Sequence, residues 1–372
     1  MPKAADTDTR FMRLALRLAQ RARGCTTPNP MVGAVLVKRG ETIGQGWHRK
    51  AGEPHAEIEA LRDAVRRGNN PKGATLYVTL EPCCTHGRTP PCTEAIVSAG
   101  IKRVVVAAMD PNPKHAGRGY RLLRREGIEV IRDVLTEEAT QLNESFNEWI
   151  VHHTPFVTVK AAMTLDGKIA TAAGESKWIT GTESRAHAMT LRRGADAILV
   201  GVNTVLLDDP ALTVRRGERK SGKRRIVLDS LARTPLDAQI VNDEFAALTT
   251  VIVTKAAPKR RVAALAKRVG VVVAPVREGR PDLPWLLRQL GAEGVTSLLV
   301  EGGGEVNASF LLGGFAQRVA FFYAPKILGG RDSRRAVAGV GAQRLAEVIQ
   351  LREIEWRRLG PDLLLTARVG TA

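Results

Sequence analysis

Three residues constrain the fold more than any others: His55, two positions before Glu57, and Cys83 and Cys92, each directly after a proline. His55-Ala56-Glu57 follows Gly52-Glu53-Pro54 and opens a helical pattern. Pro82-Cys83 closes a strand-like run, and Pro91-Cys92 leads into a second helical pattern. A chain that brings this imidazole and these two thiolates together must set two helix starts against one strand end. Such a set suits zinc, and with three protein ligands it keeps a fourth tetrahedral position for water, as catalytic zinc sites do. Glu57 is then a proton shuttle rather than a ligand. The alternative is a structural zinc knot, which normally takes four protein ligands, and Cys84 and His86 are poorly spaced to supply the fourth. Cys84 is also an alternative to Cys83 as ligand, although Cys83 alone follows the proline.

The surrounding pattern is layered α/β. A helix is expected over Arg10–Arg23, ended by Pro28-Asn29-Pro30. Strands follow at Met31–Val37 and Thr42–Trp47, then a helix near His55, a strand at Thr75–Leu80, a helix after Pro91 and a strand at Arg103–Ala108. A helix from Gly117, a strand at Ile128–Ile131 and one helix over Glu137–Val151 complete the first half, and Thr154-Pro155 stops the chain. The second half restarts with a strand at Phe156–Ala161. It continues with apolar runs at Ala197–Val202, Ile226–Leu228, Thr250–Val253, Val271–Val273, Ser297–Val300 and Val319–Tyr323, which imply a mostly parallel sheet flanked by helices.

A length of 372 residues also favours two domains, divided here as 1–150 and 151–372. No run of eighteen apolar residues appears, and the polar, acidic opening MPKAADTDTR resembles neither a secretory signal nor a transit peptide, so the expectation is a soluble cytoplasmic protein with no membrane partner. Four cysteines, three of them crowded into positions 83 to 92, indicate metal binding rather than a disulfide framework, with Cys25 an ordinary thiol. The net charge of +18 is spread over both halves. Its densest cluster, Arg215, Arg216, Arg219, Lys220, Lys223, Arg224 and Arg225, lacks an aromatic residue to stack on a base and reads mostly as a solvated loop. The same field would draw phosphorylated small molecules.

His-Ala-Glu and Pro-Cys resemble the cytidine and nucleobase deaminase superfamily, but that superfamily's second element is usually P-C-x-x-C, whereas eight residues separate Cys83 from Cys92 here. The stretch EPCCTHGRTPPC, with PNPMVGAVLV before it and DPNPKHAGRG after it, resembles a family of bifunctional riboflavin-biosynthesis enzymes. In that family a diaminohydroxyphosphoribosylaminopyrimidine deaminase is fused to a 5-amino-6-(5-phosphoribosylamino)uracil reductase. The resemblance continues through VKAAMTLDGKIA, GESKWIT, ILVGVNTVLLDDPALTVR, IVLDS, VEGGGEVNASF and FFYAPKILGG, in the family's order. One departure is local: many members carry Ser-His after the first metal cysteine, where this chain has Cys84-Thr85 and then His86.

The resemblance implies a cytidine-deaminase-like three-layer domain followed by a dihydrofolate-reductase-like α/β domain. It implies Zn2+ and NADPH as cofactors and phosphoribosyl-pyrimidines as small-molecule substrates. The first domain would hydrolyse the ring 2-amino group of 2,5-diamino-6-ribosylamino-4(3H)-pyrimidinone 5′-phosphate, and the second would reduce the ribosyl group to ribityl. By position, Asn29 and Asn112 would contact the pyrimidine or ribose, and His48 and Arg88 would assist binding; read without the resemblance, Asn29, Asp110 and Asn112 shape turns beside prolines.

In the second half the residues alone say less. Gly302-Gly303-Gly304 after one apolar strand, and Gly201-Val202-Asn203-Thr204 after another, fit either a phosphate cradle or a tight strand-to-helix turn. By resemblance Ala162, Trp178, Thr204, Asp208, Ser230 and the run Gly303, Gly304, Glu305, Val306, Asn307, Ala308 and Ser309 line the cofactor, while Ser176, Arg192, Leu212, Arg215 and Glu301 hold substrate. Arg192 and Arg215 suit a 5-phosphate or are plain surface charge. Trp178, in a strand-like segment, is a cofactor stack or core. Asp208 lines the cofactor or only ends a helix. Lys160 is a candidate for positioning or protonating the opened sugar. Two competing functions are a nucleic-acid base deaminase with an accessory domain, which the fused second half disfavours, and a scaffold or sensor that has lost one activity. No residue pattern fixes whether the chain forms a homo-oligomer.

Overall fold

The computed structural model describes residues 4–86, 90–216 and 219–370, and the chain divides into two units, Met1–His153 and Thr154–Ala372. In the first unit a five-stranded sheet runs in the order Glu41–Trp47, Gly33–Lys38, Thr75–Leu80, Arg103–Ala108, Glu129–Ile131, antiparallel for the first three strands and parallel for the last three. Successive side chains of a strand point to opposite faces. Val35, Tyr77 and Val105 therefore meet Phe11, Met12 and Ala15 of the helix Ala4–Gln20, while Leu36, Val78 and Val104 meet the other helical layer. That second layer holds the helices Ala56–Arg66, Cys92–Ser98 and Arg118–Arg125.

The helix Ala56–Arg66 lies very close to the sheet because small residues face small residues. Ala56, Ala60 and Ala64 recur every fourth position, and the strand beneath them carries Gly44 and Gly46. A Cβ on Gly44 would sit 2.4 Å from the Ala60 carbonyl oxygen, and one on Gly46 would sit 2.5 Å from the Ala60 nitrogen. This bare strip sets the depth at which the helix begins, and so the depth of His55 and Glu57.

The single helix expected over Glu137–Val151 is two, Thr136–Leu142 and Glu144–His152. The break falls at Asn143, which is buried and pairs with the backbone of Met31: its Oδ1 accepts from the Met31 nitrogen at 2.8 Å and its Nδ2 donates to the Met31 oxygen at 2.9 Å. One side chain thus takes the place of a strand neighbour, and the strand itself starts only at Gly33.

The second unit is built on a nine-stranded sheet in the order Gly270–Val273, Thr249–Val253, Arg224–Leu228, Ala197–Gly201, Ser297–Val300, Phe156–Thr164, Arg318–Ala324, Asp362–Val369, Leu351–Leu359. The first seven strands are mutually parallel, and the last two form an antiparallel hairpin absent from the sequence expectation. Leu351–Leu359 is an almost wholly exposed edge dense in charge, so it carries no apolar alternation to read. Two further expectations need correction. Arg225 is not part of a solvated loop: it lies fully buried in a strand, with Asp243 bound through both oxygens at 2.6 and 2.8 Å. The segment around Trp178 is a turn rather than a strand, and Trp178 is 67% exposed, so it is not core.

Candidate active sites

In the first unit, the Nδ1 of His55 lies 3.5 Å from the Cys83 sulfur and 3.3 Å from the Cys92 sulfur, and the three ligand atoms all fall within 4.8 Å of one another. A zinc ion with Zn–S of about 2.3 Å and Zn–N of about 2.0 Å would need N···S edges of about 3.5 Å for tetrahedral angles. The set fits the metal without rearrangement. Of the adjacent pair, Cys83 belongs to this set and Cys84 does not, and His86 is exposed. The Cys92 nitrogen donates to the Cys83 sulfur at 3.3 Å, and hydrogen bonds from the Cys92 thiol and from His55 hold Cys83 far below the usual thiol range, to about 4. The Cys92 thiol is pushed upward in return.

Glu57 sits one helical step inside this triad and is only 3% exposed. Burial, and next the negative charge on Cys83, push its carboxyl up to about 7, where one group can both accept and return a proton. Nearby, the Asn29 Nδ2 lies 3.0 Å from the His48 Nε2, and the His48 Nδ1 donates to the Pro54 carbonyl at 3.1 Å. Both ring nitrogens are therefore engaged with protein, and burial pushes the His48 imidazole below its ordinary value. His48 orients Asn29 and also packs edge-on against His55, with ring centroids 5.3 Å apart. Asn112 Oδ1 accepts from the Lys114 nitrogen at 3.0 Å in a local turn, and the residue is partly exposed. Arg88 lies outside the described residues.

A residue that sequence reasoning passed over is Glu81, two positions before Cys83. Its buried carboxylate accepts from the backbone nitrogens of Gly119 at 2.8 Å, Gly117 at 2.9 Å and Asp110 at 3.3 Å. The available signal was an acidic residue closing an otherwise apolar strand, since such a group rarely turns inward without partners.

In the second unit, Glu301 closes the strand Ser297–Val300 and binds Arg192 through two short contacts, at 2.7 and 2.8 Å, with the Lys160 Nζ at 3.7 Å. Burial alone would raise the Glu301 carboxyl, but the Arg192 and Lys160 charges outweigh it and bring it down to about 2. Arg192 also donates to the Thr213 carbonyl at 3.1 Å, which ties it to the turn holding Leu212 and, two residues on, the exposed Arg215. Three of the Arg192 donors are thus committed to protein. Ser176 donates to Asp208 at 2.6 Å, which brings a residue expected at the substrate beside one expected at the cofactor.

The adjacent parallel strands Ala197–Gly201 and Ser297–Val300 both end in glycine turns leading into helices, Val202–Asp208 and Gly304–Leu312. A Cβ on Gly201 would meet Val306 at 2.8 Å and one on Gly302 would meet it at 2.5 Å, whereas one on Gly303 would meet nothing. Of these three glycines only Gly303 has open space beside it, and it caps the N-terminus of the longer helix, so the turn could take a cofactor phosphate. Asn307 and Ala308 are buried, with Asn307 donating to the Ala336 carbonyl at 2.8 Å, so these two side chains hold the fold behind that turn. Ser309 is tied to the Glu305 carbonyl and to Arg280, Ser230 receives Thr254 on its carbonyl, and Ala162 and Thr204 are partly exposed.

Residues 5–108 match the family described as the cytidine and deoxycytidylate deaminase zinc-binding region, and residues 155–365 match the RibD C-terminal domain. The chain is 47% identical to the riboflavin biosynthesis protein RibD of Aquifex aeolicus, over 97% of this chain and 98% of that protein. Among solved structures it is similar to Acinetobacter baumannii RibD, with a TM-score of 0.86, 34% identity and coverage of 99% and 100% of the two chains. It is also similar to a diaminohydroxyphosphoribosylaminopyrimidine deaminase/5-amino-6-(5-phosphoribosylamino)uracil reductase from Thermotoga maritima, with a TM-score of 0.84, 35% identity and coverage of 99% and 100%.

Proposed function

We propose, from the premise that this chain belongs to the RibD family of riboflavin biosynthesis proteins, that its two units perform consecutive steps on one phosphoribosyl-pyrimidine. The first would hydrolyse the 2-amino group of 2,5-diamino-6-ribosylamino-4(3H)-pyrimidinone 5′-phosphate, and the second would reduce the product's ribosyl group to ribityl with NADPH. The observation that carries the reading is the convergence of His55, Cys83 and Cys92 on one point beside a buried carboxyl, in a chain whose second unit matches a reductase.

His55, Cys83 and Cys92 would hold zinc, which would supply an activated water for the hydrolysis. Glu57, shielded from solvent and poised near neutrality, would take a proton from the attacking water and deliver it to the departing amine. Asn29, fixed by His48, and Asn112, at the tip of its turn, hold the pyrimidine or ribose in place, with Arg88 assisting.

In the reductase unit NADPH supplies the hydride, so the protein's task is placement and charge. The turn at Gly303–Glu305, with Thr204, Ser230, Asp208 and Trp178, cradles the cofactor. Lys160 and Arg192, each engaged with Glu301, present a patch of net positive charge toward the sugar phosphate, joined by Arg215 and by Ser176 beside Asp208. Lys160 is the group placed to position or protonate the opened sugar. The partners are small molecules rather than nucleic acid, and the free thiols at Cys83, Cys84 and Cys92 support a cytoplasmic location. Among the described residues no helix is long and apolar enough to cross a membrane.

The test is to give zinc-loaded protein the diamino substrate and to follow ammonia release and NADPH oxidation separately. Both signals are expected, with NADPH oxidation dependent on prior ammonia release. Ammonia without NADPH oxidation would overturn the reductase half, and no ammonia would overturn the first half.

A further inference from the structure

The helix Arg118–Arg125 begins at Gly117, which is in the left-handed region at φ 72° and offers no side chain to cap the helix. The first amides of a helix have no partner within it, and left buried they are costly. Here the partner comes from a different element. Glu81, at the end of the strand Thr75–Leu80, reaches across so that one oxygen accepts from Gly119 and the other from Gly117 and Asp110. All three donors lie in the connection from 109 to 119, which carries Asn112. The approach is too close for any side chain at position 119, where a Cβ would stand 2.4 Å from the Pro82 carbonyl oxygen. A second, weaker tie joins the same two segments, with Thr85 Oγ1 3.4 Å from His115 Nδ1.

We infer that Glu81 is a positioning residue for deamination: it fixes the substrate-side turn bearing Asn112 against the metal-side segment bearing Cys83. The inference rests on the deaminase reading above and extends it to a residue that touches neither metal nor substrate. A carboxylate is required because all its partners are donors. A carboxamide offers one acceptor oxygen, and its NH2 would face a backbone N–H, so Glu81→Gln releases at least one of the two glycine amides. Because the loosened turn carries a binding contact, the effect falls on substrate affinity. Supporting groups of this kind change affinity or activity by about tenfold to a hundredfold.

The experiment uses the full zinc-loaded chain and the variants Glu81→Gln, Glu81→Asp and Gly119→Ala. Zinc content, KM and kcat for ammonia release, NADPH oxidation and amide hydrogen exchange over 110–119 are measured on each. Glu81→Gln is expected to keep its zinc and, when given the already deaminated pyrimidine, its NADPH oxidation. Its KM should rise about tenfold or more while kcat stays within about threefold, and the Gly117 and Gly119 amides should exchange faster. Glu81→Asp, which keeps the charge on a shorter arm, should fall between Gln and wild type. Gly119→Ala, which leaves the carboxylate intact but forces the turn outward, should raise KM in the same way and decides the matter if Glu81→Gln does not fold. Wild-type KM in both Glu81→Gln and Gly119→Ala, or a KM that rises only in step with zinc loss, overturns the inference. If the wild-type protein itself releases no ammonia, the deaminase reading has failed, and unchanged exchange at Gly117 and Gly119 in Glu81→Gln would separately overturn the role of Glu81.

Discussion

Adding a single methyl group at Gly46 should disable deamination from the far side of a helix. The Cβ of an alanine there would stand 2.5 Å from the Ala60 nitrogen and 2.7 Å from the Ala56 carbonyl oxygen, whereas ordinary contact begins at 3.4 Å. Both neighbours are helix backbone, which cannot swing aside as a side chain can, so the helix Ala56–Arg66 must lift by roughly 0.9 Å. That lift moves Glu57 and drags His55, whose nitrogen now lies 3.5 and 3.3 Å from the two sulfurs. Overpacking of this kind costs about 1–3 kcal/mol, which for a unit of this size lowers its Tm by roughly 2–12 °C. A displacement near 1 Å at a reacting group costs about a hundredfold in rate, so kcat/KM for ammonia release should fall by that order. The assay is ammonia release and zinc content for Gly46→Ala, with NADPH oxidation on the already deaminated pyrimidine as the control, because Gly46 belongs to the other unit. Wild-type kcat/KM at wild-type Tm, or an equal loss of both activities, would refute the reasoning.

Glu57→Gln should retain zinc and lose deamination, whereas Cys92→Ser should lose the metal as well; equal metal loss in both, measured by metal analysis of the purified variants, would contradict their separate roles. Glu301 is held down to about 2 in the folded protein against an ordinary 4.5, so the unfolded chain binds its proton first on acidification. Its stabilisation is therefore complete above about pH 4.5, falls as the pH drops toward 2 and is gone below that. Thermal unfolding followed across this window should show a shallower pH slope in Glu301→Gln than in wild type, and identical slopes would count against the assignment. Trp178→Ala removes an exposed ring, so the Tm should stay within a few degrees while the KM for NADPH rises severalfold; a large Tm loss would show the ring to be structural.

How much of this was legible in the sequence depended on whether the signal was local. Thr75–Leu80, Arg103–Ala108 and Ser297–Val300 are apolar runs buried on both faces, and the sequence expectation matches them residue for residue. The metal triad was legible because His55, Cys83 and Cys92 sit at element ends marked by prolines. Partnerships between distant positions left no local trace. Asn143 breaks a helix for the sake of Met31, over a hundred positions away, and Arg225 is buried only because Asp243, Thr249 and the carbonyls of Ala211 and Ile240 surround it. The same holds in the reductase site, where Arg192 could be read as a phosphate fork but not as the partner of Glu301. Trp178 misled in the other direction, since its aromatic, β-rich neighbourhood reads as strand while the chain there is a turn.

The order of strands in the two sheets also bears on how the protein leaves the ribosome. Every strand of the first sheet lies before residue 132, so that unit has its whole framework once its last helix has emerged. The second sheet is different, because Ser297–Val300 is the strand that separates Phe156–Thr164 from Ala197–Gly201. Those two early strands cannot take their final neighbours until a segment made roughly 100 residues later slides between them, and Glu301 arrives with it. At about 5–20 residues per second, the deaminase framework is complete roughly 7 to 30 s before the central strand of the reductase exists. During that interval Phe156–Thr164 and Ala197–Gly201 each lack the neighbour that Ser297–Val300 supplies in the finished sheet.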